Sequence, residues 1–552
     1  MMSSPIRRWD GEMRLLTALA VLVAVFSFAY YLQHNYILLY GDAVAHINIA
    51  RRVFDSKTPG LLQLGTVWLP LPHLLMIPFL LSASAWQSGA GGSIPSLIAY
   101  VFAVVGIFRL TRNALSFPGE PDTESRISAW LAAVALGANP NLIYLQSTAM
   151  TEPLYLAFFI WVIVHFEELS ERLAARSEEV SSARGSLWKC GLCAAAAEFT
   201  RYDGWLLGIV IALAAMALIF LKTAGLARRE MRHALRNFLL VAAAAPVIWL
   251  AYNGIIYRNP LEFANGPYSA KAIEKKSATP GFPRHPGSHN VVAAGQYFLK
   301  AAEDNLAEGV LQRIWIAIAV LGSILALILD RRLGTLLLLW LPLLFYALSI
   351  AYGGVPVFVP NWWPFSYYNV RYGIELLPCI AVFFGGSVYF FLTLARPRVS
   401  KAAIAVIAVG FLIVSYISAW HAQPASFREA WVNSRSRIAL ERTLATNLRK
   451  LPPESTLLMY LGDHVGALQD AGIPLSHVIQ EGNHRTWKQP SDPEGLWERA
   501  LANPGAFADF AIGIDDDPVA RSAHQHGLTS LLIVETPGQP RATIYATHGQ
   551  NR

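Results

Sequence analysis

Between residues 15 and 420 the chain repeats one pattern: an apolar run long enough to cross a bilayer, then a short polar stretch. A helical span needs about 20 apolar residues. The runs predict eleven spans, at 15–39, 93–111, 128–145, 153–167, 187–200, 205–221, 237–257, 311–329, 334–352, 373–394 and 402–420. The segment 66–85 is also apolar, but it carries Pro70, Pro72, His73 and Pro78. Prolines remove helix hydrogen bonds, so this segment reads as a re-entrant or juxtamembrane hairpin. Charge supports that choice. With 66–85 outside the count, Arg7, Arg8 and Arg14, Arg109 and Arg112, the Lys222–Arg236 cluster, Arg331 and Arg332, and Arg396, Arg398 and Lys401 all fall on one side. Basic loops mark the cytoplasmic face. The N-terminus is therefore expected inside and the C-terminal portion outside. The first run lacks a clear small-residue cleavage site and reads as a retained anchor.

The pattern changes near 422. Residues 428–450 read as an amphipathic helix. Short apolar strands are expected at 456–461, 508–514, 530–535 and 542–546, with helical stretches between them. Strands alternating with helices predict a small α/β domain. The expected fold is a polytopic α-helical membrane domain, 1–421, followed by a soluble extracytoplasmic α/β domain, 422–552.

Composition agrees: of 552 residues, 54% are hydrophobic and only 15% charged. That excludes an ordinary soluble enzyme. The net charge of +7 reports topology and gives no reason to expect nucleic acid as a partner. Cys190-Gly-Leu-Cys193 has a redox or metal spacing but no second ligand pair. Asp515-Asp516-Asp517 follows a strand end, where a helix cap is the plainer reading and metal binding the alternative. Gly462-Asp463-His464 is placed similarly. No Gly-rich phosphate loop is present, so a nucleotide-driven mechanism has no support.

The candidate chemistry gathers at the outer ends of the spans. Asp42 and His46 follow the first run and are four apart, so a helix puts them on one face. A cap for an amphipathic helix is the alternative role for Asp42. On the same side lie His73, Glu152, the run Glu198-Phe-Thr-Arg201-Tyr202-Asp203, and Arg371-Tyr372 with Glu375. A carboxylate there can deprotonate an acceptor hydroxyl, and arginines can hold the phosphate of a lipid-linked substrate with paired donors. The aromatic stretch Asn361–Tyr372 suits either an interfacial belt or sugar stacking. The polar segment 258–310, with Lys271, Lys275, Lys276, His285 and His289, reads as a long gating loop.

In this order and sidedness the chain resembles the GT-C superfamily of membrane glycosyltransferases, most of all its protein O-mannosyltransferase and aminoarabinose-transferase branch. The matching elements are Gly41-Asp42-Ala43-Val44-Ala45-His46, Leu69-Pro-Leu-Pro-His73, Thr151-Glu152-Pro153, Thr200-Arg201, and Val370-Arg371-Tyr372 with Pro378. The resemblance covers most of 15–420. The resemblance implies transfer of a sugar, with inversion, from a polyprenyl-phosphate donor to a lipid, glycan or protein acceptor. The setting it implies is the outer face of a bacterial inner (plasma) membrane.

On this basis Asp42 is the catalytic base or a metal organiser and Glu152 the second catalytic acid. Arg201 and Arg371 hold the donor phosphate. His46, His73, Tyr202, Asp203 and Tyr372 complete the substrate-binding set. The sequence departs from the branch where two adjacent acids are usual, since Ala43 follows Asp42. If a divalent cation is used, Asp42 and His46 are its expected ligands. The competing functions are a transporter or flippase of a lipid-linked or anionic solute, which requires polar residues at the bilayer midplane and internal repeats, and a non-catalytic scaffold.

Overall fold

The structure, a computed structural model, describes residues 10–116, 121–174, 180–272, 284–396, 398–462, 464–483 and 494–548. Helix α1 (Gly11–Gln33) is followed by α2 (Gly41–Arg52) and then by the predicted hairpin. The hairpin is built from two 3₁₀ turns and the short helices α3 (Leu71–Met76) and α4 (Ala83–Gln87). No segment between 66 and 85 is a continuous span, as the prolines require.

The chain continues through α5 (Ala90–Ser116), α6 (Thr123–Gly137), α7 (Pro140–Leu145), α8 (Glu152–Ala174), α9 (Val180–Glu198), α10 (Asp203–Lys222) and α11 (Gly225–Ile256). The segment read as a gating loop is partly helical. It holds α12 (Glu262–Asn265) and α13 (Val291–Asp304), which buries Ala294, Tyr297, Phe298 and Ala301. Lys275 and Lys276 lie outside the described residues, while His285 is buried, with its Nε2 2.9 Å from the Val357 carbonyl.

Helix α14 (Val310–Leu329), a 3₁₀ segment (Arg331–Trp340) and α15 (Leu341–Tyr352) follow. A second 3₁₀ segment (Val370–Leu376) leads into α16 (Leu377–Leu394), and α17 (Arg398–His421) ends the apolar part. Nine stretches among the described residues are helical, long and apolar enough to cross a membrane. Two of the eleven expected spans, on α6 and α9, do not stand out this way: α6 has only 15 residues, and α9 begins with a polar Ser- and Arg-bearing turn.

The helix ends pair as the charge pattern demands. At one end Arg112 meets Asp10 at 2.6 Å, Arg126 meets Glu12 at 2.9 Å, and Lys401 pairs with Glu124. Thr335 and Glu167 meet at the same end. The starts of α1, α6 and α17 and the ends of α5 and α8 are therefore together. The predicted outer residues Asp42, Glu152, Arg201 and Arg371 converge at the opposite ends.

Helix α18 (Ala425–Leu448) then lies over the helix ends at which Asp42, Glu152 and Arg371 converge. Its Phe427 and Trp431 rings sit 5.2 and 5.7 Å from Tyr36. The small domain beyond it is a five-stranded mixed sheet in the order β2-β1-β3-β5-β4. The strands are β1 (Leu457–Met459), β2 (Val478–Ile479), β3 (Phe510–Ile514), β4 (Thr529–Val534) and β5 (Ala542–Ala546). β1 pairs in parallel with β2 and β3, and β5 runs antiparallel to β3 and β4. One face packs Leu458, Ala511, Val519 and Tyr545 with Trp497; the other joins the main core through Leu457, Met459 and Ile512. Asp517 caps the helix Pro518–Gln525, accepting from the Ala520 amide at 2.6 Å, so the acidic triplet takes the cap role. Asp463 lies outside the described residues.

Candidate functional site

Two arginines organise the end of the bundle opposite the basic loops. Arg371 sits in the second 3₁₀ segment, which is seated against α13 so closely that a Cβ on Gly373 would lie 2.3 Å from the Ala301 carbonyl carbon. Glycine is needed there for that approach. Arg371 Nη2 donates to Asp42 Oδ2, Nε to Glu152 Oε1 at 3.1 Å, and Nη1 to Glu429 Oε1 at 3.2 Å. Its backbone amide donates to Glu429 Oε2 at 3.1 Å. The guanidinium also lies over the rings of Tyr40 and Tyr372, 4.9 Å from each.

Arg201, in the turn between α9 and α10, is the second hub. Its Nη1 donates to Thr151 Oγ1 at 3.0 Å and Glu152 Oε1 at 3.4 Å, and its Nε to Asp203 Oδ2 at 3.3 Å. Its Nη2 donates to the Tyr346 hydroxyl at 2.7 Å and pairs with Glu375 at 3.2 Å. Tyr346 in turn donates to Glu375 at 2.7 Å. Glu152 Oε1 bridges the two arginines, and Tyr372 lies under both.

Five carboxyl groups thus surround two guanidiniums. Four of their side chains, Glu152, Asp203, Glu375 and Glu429, are at most 2% exposed; Asp42 is 42% exposed. Buried charges persist only when paired and hydrogen-bonded, which is what the two hubs provide. The expectation that Asp42 caps α2 is not met: the cap position is Tyr40, and Asp42 sits in the first turn with Arg371 as its partner. Its Oδ1 has no hydrogen-bond partner among the described residues.

The remaining predicted residues divide. His46 Nδ1 is 2.9 Å from His73 Nε2, with the Trp68 ring 4.6 Å from that of His46. Burial, aided by the nearby Arg371 and Arg201 charges, holds His46 down to about 3. Burial also pushes His73 well below the usual imidazole value, with His46 and Arg52 adding to the effect. Both rings are therefore neutral in the site wall. Tyr202 turns elsewhere: its hydroxyl donates to the Val67 carbonyl at 2.9 Å, accepts from Trp249 Nε1 at 3.1 Å, and its ring stacks on Phe263.

A divalent cation at Asp42 and His46 does not fit this donor set. Asp42 is held by Arg371 and His46 by His73, and among the described residues no group of three or more His, Cys, Asp or Glu side chains is placed to hold a metal. Cys190 and Cys193 are free thiols.

Glu429, Tyr40 and Tyr346 were not anticipated from sequence. Glu429 had a readable signal, because it falls among the buried positions Ser426, Ala430 and Ser434 of an amphipathic helix. Tyr346 is one aromatic among many in a span and carried none.

Among solved structures, the ArnT of Cupriavidus metallidurans bound to undecaprenyl phosphate matches with a TM-score of 0.57 at 13% identity, over 98% of both chains. The same protein in its apo state gives 0.55 at 14% identity, again over 98% of each. The chain has the GT-C fold. This GT-C-fold membrane protein also aligns with the apo oligosaccharyltransferase of Archaeoglobus fulgidus, covering 100% of this chain and 76% of that one at 11% identity and a TM-score of 0.48. No family model and no curated protein matches the sequence. Asp42, Glu152, Arg201 and Arg371, which the resemblance in the sequence named as site residues, form one cluster.

Proposed function

We propose that the protein is a glycosyltransferase that moves a sugar from a polyprenyl-phosphate donor to an acceptor hydroxyl on the outer face, with inversion. The observation that carries the proposal is the contrast between Asp42, half-open and with one free carboxylate oxygen, and four acids buried around two arginines. The fold supports it, as one neighbour was solved with undecaprenyl phosphate bound.

In this reading Arg371 Nη2 is the nitrogen that a donor phosphate oxygen reaches, by displacing the exposed Asp42 carboxylate. Glu152, Glu429 and Tyr372 keep the guanidinium in place during that exchange. Arg201 fixes Glu152 from the other side. The freed Asp42 takes the proton of the acceptor hydroxyl, the acceptor oxygen bonds to the anomeric carbon, and the carbon–oxygen bond to phosphate breaks. The electron pair leaves with polyprenyl phosphate. Such a leaving group needs charge stabilisation more than an acid, so one base and a fixed cation suffice. His46 and His73, neutral and buried, shape the wall.

The test is the purified protein in vesicles with a radiolabelled polyprenyl-phosphate sugar and a crude membrane acceptor fraction. Labelled product and free polyprenyl phosphate in equal amounts support the proposal. Movement of labelled lipid between leaflets with no bond cleavage would support a flippase and overturn it.

A further inference from the structure

The basic clusters of the loops lie at the end of the bundle opposite Asp42 and Arg371. Helix α18 is the exception. Arg428, Arg435, Arg442 and Arg449 recur every seven residues and all four are exposed. Seven residues are close to two helical turns, so they form one stripe about 30 Å long. Both acids of this helix turn the other way: Glu429 goes to Arg371 and Glu441 to Arg437. Arg449 pairs with Asp470 at 2.9 Å. No carboxylate among the described residues pairs with Arg428, Arg435 or Arg442. Arg435 lies 5.0 Å over Trp431, and Arg428 lies 5.7 Å from the Tyr367 ring.

The depth of the stripe follows from its neighbours. The exposed apolar face of α17, Val406, Ile413 and Ile417, ends at Trp420. That of α1, Leu22 and Phe26, ends at Tyr30. Apolar faces that finish in Trp and Tyr mark the boundary between hydrocarbon and headgroups. Helix α18 starts four residues beyond α17 and packs on Tyr36 just past the end of α1. Its Val432, between Arg428 and Arg435 on the same face, is 52% exposed. The first half of the stripe is therefore at headgroup level, apolar and cationic together, as in helices that lie on anionic membranes.

We infer that the arginine stripe of α18 binds the phosphate headgroups of anionic lipids in the leaflet it faces. Each guanidinium supplies paired donors to a phosphate, and the 21 Å or so from Arg428 to Arg442 spans several headgroups. The stripe is separate from the Arg371 and Arg201 hubs, whose donors are engaged with carboxylates, and its role stands whether or not the protein transfers sugar.

The test titrates the full chain in detergent with dioleoyl phosphatidylglycerol or dioleoyl phosphatidylcholine and reads bound lipid by native mass spectrometry. Phosphatidylglycerol is expected to bind more tightly, and more weakly as salt rises. The triple variant R428Q/R435Q/R442Q should lose roughly a hundredfold in phosphatidylglycerol affinity with phosphatidylcholine unchanged. R428K/R435K/R442K should keep most of the preference, which separates loss of charge from loss of fold. Equal affinity for the two lipids in the wild type, an undiminished phosphatidylglycerol affinity in the glutamine variant, or equal competition by inorganic phosphate would each overturn the inference.

Discussion

Replacing Arg371 with Leu withdraws the only cation that, among the described residues, pairs with Glu429 and Asp42, and one of two that pair with Glu152. Glu429 and Glu152 are at most 2% exposed, so neither recovers its hydration in the folded state. Breaking a buried pair by removing one partner costs about 3–5 kcal/mol. Asp42, at 42% exposure, adds little because water takes over. At about 2.1 cal/mol/K of unfolding entropy per residue, a loss of ~4 kcal/mol lowers the melting temperature of a 552-residue unit by about 3–4 °C. The double variant R371L/E429Q removes one of the stranded charges as well and should recover at least ~1 kcal/mol, a non-additivity expected of direct partners. The assay is thermal unfolding of the purified protein in detergent, following tryptophan fluorescence, for wild type, both single variants and the double. An R371L variant melting within a degree of wild type, or a double variant whose loss is the simple sum, would refute the hub reasoning.

Other consequences follow from particular contacts. Gly373→Ala drives a methyl into the Ala301–Ala302 backbone and should cost about 1–3 kcal/mol by overpacking; unfolding in denaturant measures it, and a neutral result would mean the 3₁₀ segment is not seated on α13. His46 takes up a proton only near pH 3 when folded but near 6.5 when unfolded, so its contribution to stability is complete above about pH 7 and is lost as pH falls from there towards 3. The slope for one proton is about 1.4 kcal/mol per pH unit. His46→Gln should flatten that part of the stability profile, and an unchanged acid slope would show that His46 does not supply it.

The order of the helices was legible because hydrophobic length and basic loops divide the chain in the same way, and ion pairs bring together helix ends that the charge pattern groups. The Pro-bearing 66–85 segment was readable for the same reason that it cannot span. Helix α13 was hidden in a stretch rich in Gly, Pro and Lys, where its amphipathic face is short and its partners are distant in sequence: Trp362 for Tyr297 and Tyr346 of α15 for Phe298. Strand β2 has two residues and owes its existence to pairing with β1, which local propensity does not encode. In the site, the sequence located Asp42, Glu152, Arg201, Asp203, Arg371 and Glu375 because charge at the edge of an apolar run is unusual. It could not show that the arginines hold the acids in two hubs, nor that Glu429 closes one of them from more than fifty residues downstream. Tyr202 shows the reverse: it adjoins Arg201 and Asp203 in sequence, yet its hydroxyl serves the Val67 and Trp249 side of the turn.

The role of Asp42 is the centre of the account. The decisive measurement compares Asp42→Asn with wild type for two quantities: binding of polyprenyl phosphate, and the rate of sugar transfer from the labelled donor at saturation. Asn keeps the shape and drops the base, and its neutral amide leaves Arg371 free for phosphate. The expected result is polyprenyl phosphate binding equal to or tighter than wild type and a transfer rate lower by about 10²–10⁴-fold. A transfer rate near wild type would contradict it.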